Sequence, residues 1–268
     1  MPRKQTNTAV REGLKTMLQE QGWDAEQIDA IVDQATDLVL EFRQWTNPTP
    51  FQVVMWKEEL QKACGQAINQ LLGLDRSCLD SAKSLIDEIY AILIRVDCEA
   101  LFGPTNRFIK AFQQWTNRVA CWDSFERILG SVEPKIDSLR KITPRVIALA
   151  QQTENISNQL ATHEQGLKAL SMACAFLVEK NSSQSNMAQA LRDRELSLME
   201  TIKHIEVNSS MRRMQERSVL DLIKIIQHMT LTIPITLRNI VTANQTRKNI
   251  NGVQQDFVNL LKGWTVKR

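Results

Sequence analysis

Glycine and proline are scarce in this chain of 268 residues, nine and seven respectively, and tyrosine occurs once. So few turn formers and β-favouring aromatics exclude a fold of many short strands joined by tight hairpins. Most of the glycines sit at helix ends, which leaves little backbone for a phosphate cradle. No GxxxxGKS/T, GxGxxG, GxSxG or HExxH pattern occurs. Histidine is equally sparse. His163, His204 and His228 are the only three, and none stands in the HxxxH or ExxH spacing that places two ligands on one helix face.

Cysteine and charge exclude further classes. Cys64, Cys78, Cys98, Cys121 and Cys174 are odd in number, lie within apolar helical patterns and form no CxxC pair. They read as reduced core thiols of a cytoplasmic protein. Thirty-three basic residues face thirty acidic ones, a net charge of +3, so no strong field points at nucleic acid, and no nucleic-acid partner is expected. The first ten residues are polar, without the apolar core of a secretion signal. No run approaches the ~18 apolar residues of a spanning helix. The most apolar stretch, Val219 to Ile235, is interrupted by Asp221, Lys224, Gln227 and His228 and reads as a buried or amphipathic helix.

What is abundant is leucine, isoleucine, alanine, glutamine, glutamate, lysine and arginine, the residues that helices favour. The 43% hydrophobic content suffices for a core. The expected class is all-α: an elongated antiparallel helical bundle with a long coiled-coil-like hairpin.

Along the chain, Thr8 to Gln21 reads as a short helix ended by Gly22. Asp24 then caps a helix whose apolar stripe Ile28, Ile31, Val32, Ala35, Leu38, Val39 and Phe42 stops at Asn47-Pro48-Thr49-Pro50. Phe51 to Leu72 reads as one helix with Val54, Leu60, Ala63, Ala67, Ile68 and Leu71 inward. Ser77 to Phe102 reads as another, with Leu79, Ala82, Leu85, Ile86, Ile89, Leu93 and Val96 inward, ending at Gly103-Pro104. A fifth helix from Thr105 or Asn106 carries an aromatic stripe, Phe108 to Phe125, and is terminated by Gly130. A boundary here divides residues 1–103, a compact helical part, from 104–268, the hairpin region.

Thr143-Pro144 has the form of a helix start. From there Val146, Leu149, Thr153, Ile156, Leu160, His163, Leu167, Leu170, Cys174 and Leu177 recur at intervals of three and four. This seam predicts a rod of about 35 residues, roughly 50 Å long at 1.5 Å per residue. The polar stretch 181–186 is a turn. A second helical run, from Met187 through Leu191, Leu198, Ile202, Ile205, Met211 and Met214 to Ile233, folds back as the other arm, and Pro234 must kink or break it.

Candidate functional residues are few. His163 lies on the seam among leucines, as a register-setting or pH-sensitive polar group, or as a partly buried histidine paired with a carboxylate such as Glu164 or with a partner on the facing helix. The basic stretch Met211, Arg212, Arg213, Met214 and Arg217 offers charge beside adaptable methionines, and reads either as a solvated helix face or as a protein-binding surface. Paired carboxylates, as at Glu58-Glu59 and Asp193-Glu195, are interleaved with basic residues as on a solvated face. No catalytic residue, cofactor, metal or small-molecule substrate is expected. The unpaired seam calls for a protein partner or self-association.

The stretch Arg212 to Ile226, followed by Thr232-Ile233-Pro234, resembles the toxic-anion (tellurite) resistance protein family, TelA/KlaA, in which a charged helix runs into a Thr-Ile-Pro kink before another helix. The Ile156 to Leu177 rod is similar to that family's long central helices, and the resemblance covers about residues 100–260. After Pro234 this chain has Ile235-Thr236-Leu237 where the family usually carries an aromatic. The resemblance implies a cytoplasmic, all-helical component of resistance to tellurite or to envelope and phage stress, with no catalytic residues. The alternative is a self-assembling helical hairpin at the inner-membrane surface, not spanning it.

Overall fold

The computed structural model describes residues 2–20, 25–96, 111–180, 185–246, 252–253 and 255–259; of these, 2–6, 25–28, 30, 111–121, 185, 210, 211 and 244 are described in their backbone only. Seven helices are named below: α1 Pro2–Glu20, α2 Ala25–Arg43, α3 Pro50–Val54, α4 Glu58–Leu72, α5 Ser77–Leu93, α6 Ala111–Lys180 and α7 Ser185–Thr246. Among the described residues there is no strand, so the all-α class holds. Contacts divide the chain into two compact units, residues 1–74 with 152–215 and residues 75–151 with 216–268. Within each unit the segments of α6 and α7 run antiparallel, Lys168 meeting Glu206 in the first and Arg140 meeting Thr230 in the second. The expected boundary at 103–104 and the Gly103-Pro104 stop lie outside the described residues, as does Gly22.

In the first unit the α6 segment from Leu167 to Leu177 is buried nearly all round, Leu167, Leu170, Ala173 and Cys174 completely. A helix surrounded by others loses its single stripe, because every face finds an apolar partner. Val10, Leu14 and Leu18 of α1, Val32, Ala35 and Val39 of α2, and Leu191, Leu198, Ile202 and Ile205 of α7 complete this core. Gly13 lets α1 come close: a Cβ there would lie 2.9 Å from the Phe176 ring. A smaller cluster joins Ala67 and Leu71 of α4 to Ile156 and Leu160 of α6. Across the hairpin, Lys168 bridges Glu164 at 2.7 Å and Glu206 at 3.3 Å.

The expected helix from Phe51 to Leu72 is two helices. Thr49 and Gln52 form a capping box that starts α3 at Pro50. The chain then turns at residues 55–57, with Lys57 in the left-handed region at φ 55°. The turn carries Trp56 inward onto Phe42 and Trp45, with ring centres 5.1 and 5.9 Å away. This shifts the register, so Val53 is buried while Val54, expected inside, is exposed. Aromatic burial here outweighs the local preference for one helix.

In the second unit α5 buries Cys78, Ala82, Ile86, Ile89 and Leu93. Lys135 on α6 is paired with Glu88 of α5, and Arg145 lies 3.9 Å from Asp75. Here α6 contributes Phe125, Val132, Ile136, Leu139, Val146 and Leu149, and α7 contributes Val219, Leu222, Ile226, Met229, Ile233 and Leu237. α5 ends at Leu93 rather than Phe102, since residues 94–95 form a turn.

The marks read as a helix end at Gly130, a helix start at Pro144 and a kink or break at Pro234 all fall within helices. Gly130, Pro134 and Pro144 all lie inside α6, and Pro234 lies inside α7. Glycine costs a helix only about 1 kcal/mol. A proline removes the donor to the carbonyl four residues back. For Pro234 that carbonyl belongs to Thr230, and it is taken by Arg140 Nη2 of α6 at 3.0 Å. A tertiary donor thus replaces the missing backbone one, and α7 continues to Thr246.

Candidate functional site

The seam residues predicted from sequence are buried at nine of ten positions; His163 is half-buried. Glu164, one of the partners expected for His163, is held by Lys168. A lysine four residues on reaches it along the same helix face, whereas adjacent side chains point apart. The candidate set is not one cluster. His163, Arg212, Arg213 and Met214 belong to the first unit, Arg217 and Pro234 to the second. Arg213, Met214 and Arg217 are exposed, Arg212 and Pro234 half-buried, and the Met211 side chain lies outside those described. His204 and His228 are exposed, the latter 3.1 Å from the Thr232 hydroxyl. Among the described residues no group of three or more His, Cys, Asp or Glu side chains could hold a metal ion.

The most unusual site in the first unit is one that periodicity passed over. Arg194 is 2% exposed, inside the apolar face of α7 between Leu191 and Leu198. Its Nη1 donates to Gln61 Oε1 of α4. Gln61 is itself fixed, donating from Nε2 to the Ser197 carbonyl at 3.1 Å and to Thr201 Oγ1 at 2.8 Å. The Nε and Nη2 edge of the guanidinium is buried without a hydrogen-bond partner among the described residues. Burial lowers the Arg194 pKa, opposed by the fields of Cys174, Glu58 and Glu59. The signal was available in sequence: the stripe from Leu191 steps seven residues to Leu198, and the position it skips is charged.

Cys174 and Cys64 are buried free thiols, pushed up by desolvation to about 12 and about 11 respectively. Thiols held so far above neutrality are not nucleophiles. The side chains of Cys98 and Cys121 lie outside those described.

Two surfaces remain. An open cleft of about 630 Å³ at the α2–α4 turn is lined by Trp45, Pro48, Phe51, Met55 and Trp56 among others, and Phe51 is largely exposed. The second is α7 itself. Seven large apolar residues along it are exposed: Leu196, Met199, Val207, Met214, Leu220, Leu231 and Ile235. One 18-residue window of α7 reaches a mean hydropathy of 1.2 with no more than two charged residues, and 33% of it is buried. By length and composition alone this helix is apolar enough to cross a membrane, which sequence inspection did not anticipate.

No protein-family model, curated protein or solved structure matches the chain.

Proposed function

We propose that this chain is a cytoplasmic, non-enzymatic helical interaction protein, acting as a scaffold or component of a stress or toxic-anion (tellurite) resistance system. The observation that supports it is the outer side of α7. Its inner side is already filled in both units, yet exposed apolar residues recur along it, with Val207 73%, Met214 69% and Leu231 64% accessible. Single exposed apolar residues need no explanation, whereas a series on one helix marks a contact surface. The toxic-anion role rests on the resemblance of Arg212 to Pro234 to the TelA/KlaA family.

The test is complementation. A strain lacking this chain is expected to lose tolerance to tellurite or to envelope stress. The wild-type chain should restore it, and Val207→Asp or Leu231→Asp should not, although both fold. Full rescue by the two charged variants would remove the outer side of α7 from the function. An unchanged tolerance in the deletion strain would remove the resistance role.

A second reading, a peripheral protein of the inner-membrane surface, is favoured by the second unit. There Leu220, Leu231 and Ile235 are exposed on the same stretch of α7 as Arg217, Lys224 and Arg238. Apolar residues flanked by cations suit an anionic interface. Co-sedimentation with phosphatidylglycerol vesicles at low salt is expected on this reading, and its absence rejects it.

A further inference from the structure

We infer that the outer face of α7 in the first unit is a two-fold interface that takes a second copy of this chain, helix against helix in antiparallel orientation. The inference deepens the interaction reading above and rests on it.

Leu196, Val207 and Met214 stand eleven and seven residues apart, which at about 100° per residue places all three within roughly 20° of one another. Met199 and Lys203 lie on the same face, opposite the buried Leu198, Ile202 and Ile205. The stripe is therefore straight and lies along one side of the helix, rather than being a scatter of exposed residues.

The order of residues along it is self-complementary. Two copies related by a two-fold axis near residue 205 set Leu196 against Met214 of the other copy, and Lys203 against Val207. A two-fold perpendicular to both helices brings each flank of α7 against the same flank of its mate. On one flank stand Glu195 and Arg213, with Glu206 between them already bound to Lys168 of its own chain. The same register then brings Glu195 alongside Arg213 of the other copy, a pair formed twice. Opposite charges at mirrored positions are what fixes orientation in helix pairs.

The charge pattern selects the occupant. A flank that carries an acid at one end and a base at the other does not complement an anionic bilayer or a nucleic-acid backbone, which call for one sign. It complements its own reverse. In the single chain Glu195 is half-buried, and desolvation raises its pKa against the opposing field of Arg192. A cation from the second copy would supply the missing compensation.

The experiment is the mass of the full chain by light scattering over a concentration series. A dimer is expected, with Val207→Glu leaving a monomer of unchanged helical circular dichroism. Arg213→Glu should weaken the dimer about tenfold by facing Glu195 with like charge, and adding Glu195→Arg in the same chain should restore it. A wild-type monomer up to roughly 100 µM overturns the inference, as does a dimer indifferent to Val207→Glu. So does failure of the double reversal to restore what Arg213→Glu loses. A monomer captured by phosphatidylglycerol vesicles through Val207 also overturns it. The complementation assay judges the interaction reading separately, since a monomer whose Val207→Asp variant fails to complement still uses this face.

Discussion

Two buried side chains carry the clearest consequences at the residue scale. Cys174 is protonated in the folded chain until about pH 12, whereas in the unfolded chain it ionises near its ordinary value. Above that ordinary value the unfolded state has lost a proton that the native state keeps, so rising pH favours unfolding. The stability due to this thiol is fully present below about pH 9 and falls by about 1.4 kcal/mol per pH unit above it, as far as the folded value. Urea titrations between pH 8 and 11 are expected to show the loss in the wild type and less of it in Cys174→Ala; equal slopes would show that other groups dominate. Arg194 poses the opposite problem, a guanidinium retained where an apolar residue would fit. Replacing a buried charge by a hydrophobic residue of similar length is often neutral or stabilising, and removing its volume is not. Arg194→Met should therefore stay within about 1 kcal/mol of wild type or exceed it, while Arg194→Ala loses about 2–4 kcal/mol through the void and the stranded Gln61 acceptor. A large loss in the methionine variant would mean that the hydrogen bond to Gln61 outweighs the cost of burying the charge.

Individual helices show where the fold was legible in sequence and where it was not. Periodicity placed the inward faces of α2 and α5 and nine of the ten seam positions, because each repeats a local rule that burial then obeys. Punctuation was weaker than expected: Gly130 does not end α6, Pro144 does not start it, and Pro234 does not break α7, where Arg140 takes the freed carbonyl. Glycine at position 130 has no atom within 4 Å of where a Cβ would sit. Gly130→Ala should accordingly raise stability by about 0.5–1 kcal/mol, the ordinary gain of an exposed helix interior, and raise the melting temperature with it. A terminating glycine would give a loss instead. Pro234 leaves the Thr230 carbonyl to Arg140, so the two residues should be coupled. Arg140→Ala is expected to cost about 0.5–1.5 kcal/mol in the wild type and clearly less in a Pro234→Ala background, where the backbone donor has returned. Equal costs in the two backgrounds would mean that Arg140 acts elsewhere. Of the candidate surface, Arg213 and Met214 were legible as exposed polar and adaptable residues. The charge that interrupts the stripe at Arg194 could be read, but its partner Gln61 and the turn at Lys57 could not, since both depend on residues distant in sequence.

At the scale of the whole molecule, the division into units decides what can be cut. The chain enters the first unit, leaves it at Leu74, returns at Gln152 and leaves again at Gln215, so neither unit is one continuous segment. A fragment of residues 75–268 keeps both long helices but loses α1 to α4. The core positions Leu167, Leu170, Ala173 and Leu177 on α6 would then meet water where α1, α2 and α4 now cover them. Each large aliphatic side chain so exposed forfeits about 1.5–3 kcal/mol, and three leucines alone approach the whole stability of an ordinary domain. The fragment is therefore expected to retain helical circular dichroism while binding a hydrophobic dye and unfolding without a sharp transition, the behaviour of a collapsed chain without fixed packing. Residues 1–74 supplied as a separate chain should restore the cooperative transition, because the contacts they make are with side chains rather than through the link at residue 75. If residues 75–268 unfold cooperatively on their own, then α6 and α7 suffice for each other, and α1 to α4 serve as a cover whose removal leaves the outer face of α7 intact.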